Sequence, residues 1–156
     1  MTEDRPAAGG RSAARLAAVQ ALYQIEFGGA SVEQVIAEFL ALRLGKEIEG
    51  VHYAPADPEL FTDVVRGYHE RAAEIDSGLG ACLEKERTLP RTEAILRAIL
   101  RAGAAELAVR ADVPAKVVID EYLDVAHAFF SGTEATFING VLDRFAHQVR
   151  PHEFAG

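Results

Sequence analysis

Residues 112–143 read DVPAKVVIDEYLDVAHAFFSGTEATFINGVLD, and their period decides the fold. Pro114 sits where a helix begins, since its missing N–H costs nothing in a first turn and its φ is already helical. Apolar residues then recur at Val118, Ile119, Tyr122, Val125, Ala126 and Phe129. That spacing makes a helical stripe, not a strand alternation. Ser131-Gly132-Thr133 breaks the helix, and Thr133 is expected to cap the next one. The apolar face of that last helix is Phe137, Ile138, Val141, Leu142 and Phe145, with Gly140 inside it. A glycine there costs roughly 1 kcal/mol against alanine. It predicts either a neighbour pressed close or a bend.

The same period runs through the rest of the chain. Residues 11–27 predict helix one, with Leu16, Val19, Tyr23 and Phe27 as its stripe and Gly28-Gly29 as its end. Ser31-Val32-Glu33-Gln34 is a capping box that opens helix two, whose stripe is Val32, Val35, Ile36, Phe39 and Leu40. Residues 45–56 read as a loop. Asp57-Pro58-Glu59 is a helix start, and Phe61, Val64, Val65, Tyr68, Ala72, Ile75 and Leu79 follow as one long helix. Residues 83–90 read as a connector. A further helix spans residues 91–110, smooth or kinked at Gly103. Beyond Pro151 the tail is expected to be loose, as is the N-terminal segment 1–10. No strand is predicted. The fold class is therefore all-α, with six to seven helices in two small packed bundles. The helical domain covers 11–150, with subdomains at about 11–83 and 90–150.

Bulk composition excludes some classes. Of 156 residues, 49% are apolar, enough for a packed interior. No apolar run is long enough to cross a bilayer. The first ten residues lack the apolar core of a signal peptide, and the single Cys82 permits no internal disulfide, so a cytoplasmic protein is expected. The net charge of −8 opposes long-range attraction to nucleic acid. Its distribution is polarised: residues 85–116 are basic in excess and residues 57–76 acidic in excess. These segments are either a binding region and its counterpart, or two ordinary solvated faces.

No metal-binding helix motif, cysteine pair or phosphate loop is present. Asp120, Asp124 and His127 share a helix face, but that face is also the solvent side of the stripe, so no metal and no cofactor are expected. Cys82 reads as a small buried apolar residue. No residue argues for catalysis. Binding candidates are clearer. Arg11, Ser12 and Arg15 open helix one, with Ser12 as a possible cap, and form either an anion site or an exposed helix start. Thr133, Glu134, Thr136 and Phe137 open the last helix. They offer hydroxyls, N–H groups and a stacking ring, or simply a cap and a core residue. Arg97 and Arg101, one turn apart, are ion-pair partners or part of a docking face.

Asp112-Val113-Pro114-Ala115-Lys116-Val117 with Ile119 and Glu121, the run Phe137-Ile138-Asn139-Gly140-Val141-Leu142-Asp143, and Ala14-Arg15 followed by Ala18-Val19-Gln20-Ala21-Leu22-Tyr23 together resemble the NusB family of bacterial transcription antitermination factors. Order and spacing match over nearly the whole chain. The resemblance implies an all-helical, non-enzymatic adaptor. It would bind boxA RNA with NusE, the ribosomal protein that doubles as a transcription factor, and help assemble an antitermination complex on RNA polymerase during ribosomal RNA synthesis. It implies RNA contacts at Arg11, Ser12, Arg15, Thr133, Glu134, Thr136 and Phe137, and NusE contacts at Tyr23, Gln20 and Arg97. A homodimer through one of these surfaces is also compatible with the family. This chain departs from some relatives in having only Arg11 and Arg15 at the start of helix one, with Arg5 upstream, in Thr133 where an aspartate also occurs, and in Leu96 where an acidic residue is common. Weak RNA binding by the isolated chain follows. Two other readings compete. One is a helical scaffold that binds only protein. The other is the helical module ahead of an RNA cytosine methyltransferase, for which this chain leaves no room for a methyl-donor fold.

Overall fold

The computed structural model describes residues 8–42, 47–48, 51–52, 56–84 and 87–154. Of the segment 1–10 expected to be loose, residues 1–7, with Arg5, lie outside them, as do residues 155–156, whereas residues 8–10 already belong to the first helix. Among the described residues there are seven α-helices: α1 (Ala8–Gly28), α2 (Val32–Leu42), α3 (Pro58–Glu70), α4 (Ala72–Cys82), α5 (Ala94–Val109), α6 (Ala115–His127) and α7 (Thr133–Val149). Two short 3-10 turns, Leu89–Arg91 and Pro151–Glu153, flank α5 and α7. The architecture is all-α, as the period requires. The expected loop at 45–56 carries a two-residue antiparallel ladder, Glu47–Ile48 against Val51–His52, which was not foreseen.

Local signals start the helices. Ser31 Oγ accepts from Gln34 N at 3.1 Å and Gln34 Oε1 accepts from Ser31 N at 2.9 Å, the reciprocal capping box. Asp57 Oδ1 accepts from Glu59 N and Leu60 N, both at 3.1 Å, at the head of α3. Glu93 caps α5 in the same way, accepting from Ile95 N and Leu96 N.

Helix α5 is the axis of the molecule. It packs against α1, α3, α4, α6 and α7, and its middle is small: Ala98, Ala102, Gly103, Ala104 and Ala105 are all buried. A Cβ on Gly103 would stand 2.9 Å from Leu142 of α7 and 3.5 Å from Tyr122 of α6. The glycine therefore admits a close neighbour, and α5 runs unbroken through it rather than kinking. Gly140 shows the reverse. Its added Cβ would meet only the Arg144 side chain, so neither a close neighbour nor a break accounts for it.

Several expectations need correction. The long helix starting at Pro58 is two helices, interrupted at Arg71 (φ −123°, ψ 26°). The apolar period survives the break because α3 and α4 both face α5, while α3 also packs on α1 and α4 on α7. Helix α1 starts at Ala8, so Ser12 lies inside it and caps nothing. Gly132, not Thr133, precedes α7, with φ +90° that glycine adopts without strain. Pro114 is the residue before α6 rather than its first. Helix α6 ends at His127, leaving Phe129 outside the stripe and 40% exposed. Residues 151–154 are not loose: Glu153 Oε1 accepts from Ala115 N at 3.0 Å, and Phe154 stacks on His147 with centroids 3.7 Å apart.

Asp57→Ala removes the cap of α3 and its contact with Arg11. It should lower unfolding stability by about 1 kcal/mol in urea titration, whereas a change under a few tenths would show that the cap is redundant.

Candidate nucleic-acid interface

The first turns of α1 hold the expected arginines in different settings. Arg11 has a half-exposed side chain whose Nε lies 3.8 Å from Asp57 Oδ2, a loose pairing that leaves it reachable. Arg15 is 2% exposed. Its Nε donates to Glu106 Oε1 at 2.9 Å and its Nη2 to Glu106 Oε2 at 2.7 Å. Its Nη1 lies 3.2 Å from Glu121 Oε1. The Tyr122 hydroxyl also donates to Glu106 Oε1, at 2.9 Å, and Ser12 Oγ donates to Glu121 Oε1 at 3.0 Å. Burial works against the charged form of Arg15, but hydrogen bonding and charge from Glu106 outweigh it, and its pKa rises. Burial, with the adjacent Glu106 charge, pushes the Tyr122 pKa well up, so its hydroxyl keeps its proton and donates. Arg15 therefore joins α1 to α5 and α6. These carboxylates already hold its guanidinium, so a phosphate would have to compete with both of them. Ser12 is exposed, with its hydroxyl bonded to the Glu121 carboxylate.

Arg97 is engaged in the same way. It is 7% exposed, its Nη2 donates to Glu26 Oε2 at 2.6 Å, and its Nη1 donates to the carbonyls of Leu89, Pro90 and Thr92. It fastens the segment before α5 to α5 and to the end of α1, and presents little to a partner. Arg101 is held by Asp76 and Glu26.

That fastened segment forms one wall of a cleft. Leu96 of α5, Phe130 and the start of α7 complete it. Arg87, Thr88, Arg91, Thr92, Glu93, Leu96, Phe130, Thr133, Glu134 and Phe137 line a space of about 460 Å³. Among the described residues neither Arg87 nor Arg91 forms an ion pair, and both are exposed. The Arg87 guanidinium carbon lies 4.5 Å from the Phe137 ring centroid, a cation–π contact. Glu134 Oε1 is shielded from water and has no hydrogen-bond partner. Thr136 is exposed on the same turn but does not line the cleft. Thus Thr133, Glu134 and Phe137 come together as expected, whereas Arg11 sits at the other end of α1, beside Asp57. Sequence reasoning missed Arg87, Thr88 and Arg91. The basic excess of residues 85–116 was their signal, hidden because residues 83–90 read as a plain connector.

A second concavity of about 360 Å³ lies on the other flank of the start of α5, lined by Val19, Gln20, Tyr23, Gln24, Phe27, Gly28, Ile95 and Phe129. Tyr23, Phe27 and Phe129 are 39%, 58% and 40% exposed, and the Tyr23 and Phe27 rings are 5.1 Å apart. Their exposure corrects the reading of Phe27 as core. Aromatics gathered on one open groove mark a contact surface. The two concavities adjoin: Ile95 and Phe129 line the groove, and Leu96 and Phe130 line the cleft.

Among the described residues, no three His, Cys, Asp or Glu side chains gather as metal ligands. No helix among them is long and apolar enough to cross a membrane.

The model of the NusB family matches residues 12–147. The chain belongs to the NusB family. Its relatives include the transcription antitermination protein NusB of Nitrobacter winogradskyi, 53% identical over 93% of this chain and 90% of that protein. The protein of the same name from Rhodopseudomonas palustris is 51% identical over 93% of this chain and 86% of its own length. The solved structure of T. maritima NusB superposes with a TM-score of 0.74 at 27% identity, covering 98% of this chain and 99% of that one. NusB proteins are transcription antitermination factors, not enzymes. The lack of a catalytic constellation in the sequence accords with membership.

Arg15→Ala leaves Glu106 buried without its cation, and should cost roughly 3–5 kcal/mol of stability. Replacing the trio with apolar groups (Arg15→Met, Glu106→Leu, Tyr122→Phe) should recover most of that loss in urea unfolding. A loss below about 1 kcal/mol for the single variant would mean that water reaches the pair.

Proposed function

We propose that this NusB-family chain acts in transcription antitermination by binding boxA RNA together with NusE, and so helps assemble the antitermination complex on RNA polymerase during ribosomal RNA transcription. The observation that carries this reading is the adjacency of the two concavities across the first turn of α5. One has the chemistry of a single-strand RNA site: free guanidinium groups, threonine hydroxyls and a partly open phenyl ring. The other is an aromatic groove of the kind that anchors a protein partner. A strand in the cleft would lie beside a protein seated in the groove and gain contacts from both.

Within this reading Thr133, Glu134 and Phe137 face RNA, joined by Arg87 and Arg91, and Arg11 adds a weaker outlying contact. Arg15 and Ser12 position α1. Tyr23 and Gln20 face NusE together with Phe27 and Phe129, and Arg97 shapes the wall between the two sites. With few cations free of ion pairs at the cleft among the described residues, the isolated chain binds RNA weakly, and its log Kd against log salt should be no steeper than a slope of about 2.

Fluorescence anisotropy of labelled boxA RNA from the ribosomal leader, with this chain, NusE or both, tests the reading against a scrambled RNA. Sequence-dependent binding should require both proteins. Phe137→Ala should weaken the ternary complex by about 1–3 kcal/mol, and Phe27→Ala should lower affinity for NusE without unfolding the chain. Equal affinity for both RNAs in every mixture would leave a protein-binding scaffold instead.

A further inference from the structure

Glu134 sets the terms of what the cleft admits. An acid in the first turn of a helix is ordinarily stabilised by the helix dipole. That explains the residue but not its orphaned oxygen: Oε1 is shielded from water and accepts no hydrogen bond. An ionised carboxylate only accepts, so whatever completes it must be a donor. Beside it, Phe137 is covered by the Arg87 guanidinium at 4.5 Å, a flat cation lying over the aromatic ring. Arg87 is exposed and has no ion pair among the described residues, so little holds it there.

We propose that the cleft takes one unpaired nucleobase bearing an exocyclic amino group, stacked between Phe137 and Arg87 and read by Glu134. This rests on the RNA-binding reading above and adds its base specificity. A base sliding over Phe137 keeps a planar partner on each face, the phenyl ring beneath and the guanidinium above. Its edge then reaches Glu134, whose side chain turns its unpaired oxygen to the incoming donor. Cytosine, adenine and guanine each offer an amino hydrogen. Uracil has no amino group, and its one edge donor, N3–H, is flanked by two carbonyl oxygens that repel the carboxylate, so it is disfavoured. The Thr88 and Thr133 hydroxyls and Arg91 on the cleft wall are left for ribose and phosphate, whereas the Thr92 hydroxyl donates to the Thr88 carbonyl.

The test uses the complex of this chain with NusE and labelled boxA RNAs in which each amino-bearing base is replaced in turn by uracil. At one position the replacement should weaken binding about tenfold, and with Glu134→Gln that difference should fall to about twofold or less, because an amide can donate to a uracil carbonyl. Glu134 is only partly buried on an exposed turn, so the isosteric glutamine leaves the fold intact. Arg87→Lys keeps the cation but loses the flat stacking face. It should weaken every RNA that fills the cleft while leaving the salt slope unchanged. A uracil scan that is flat, or identical in Glu134→Gln, with RNA still bound would overturn the base-reading role and leave the RNA-binding reading standing. Failure of the wild-type complex to bind any of these RNAs would overturn both.

Discussion

The contact between Arg15 and Glu106 is the constraint on which the rest of the molecule depends. Both side chains are almost fully excluded from water. Two charges cannot remain in such a place singly, because the desolvation of either exceeds what an isolated helix packing supplies. The pair therefore fixes where α1 crosses α5, and Tyr122 brings α6 to the same point. Gly103, three residues before Glu106 and so on the same face of α5, lets Leu142 and Tyr122 close over the helix beside the pair. With α5 gripped in this way, its first turn becomes a fixed ridge. The cleft and the aromatic groove are the two sides of that ridge.

Charge placement follows from the same arrangement. Arg15, Arg97, Arg101, Arg110 and Arg150 are held by internal carboxylates or backbone carbonyls. Arg110 in turn holds the Asp112 carboxyl down at about 2, well below the usual carboxylate range. Among the described residues Arg87 and Arg91 form no ion pair, and they stand together at the cleft. The net charge of −8 argued against nucleic acid only as long as every arginine was counted alike.

Helix existence was legible because the apolar period is continuous and the caps at Ser31 and Asp57 are local chemistry. The break at Arg71 was not, since no proline or glycine marks it and the apolar period runs on through it. For the site, Phe137 and Glu134 were legible as the opening of a helix. Arg87 and Arg91 were not, because their place depends on how Arg97 folds the preceding segment back onto α5. The buried state of Arg15 was equally out of reach: its partner is 91 positions away in the chain. Arginines at a helix start look the same in sequence whether they face water or a buried glutamate. Phe27 and Phe129 failed for the opposite reason, as apolar residues in register with a core stripe that ends before it reaches them.

The most direct test of the account is zero-length photo-cross-linking of boxA RNA in the complex with NusE, with the linked peptides mapped by mass spectrometry. Cross-links are expected in the peptides that carry Arg87, Arg91 and Phe137, and should be lost when the RNA is scrambled. Cross-links confined to the acidic helix α3, or unchanged with scrambled RNA, would contradict the account.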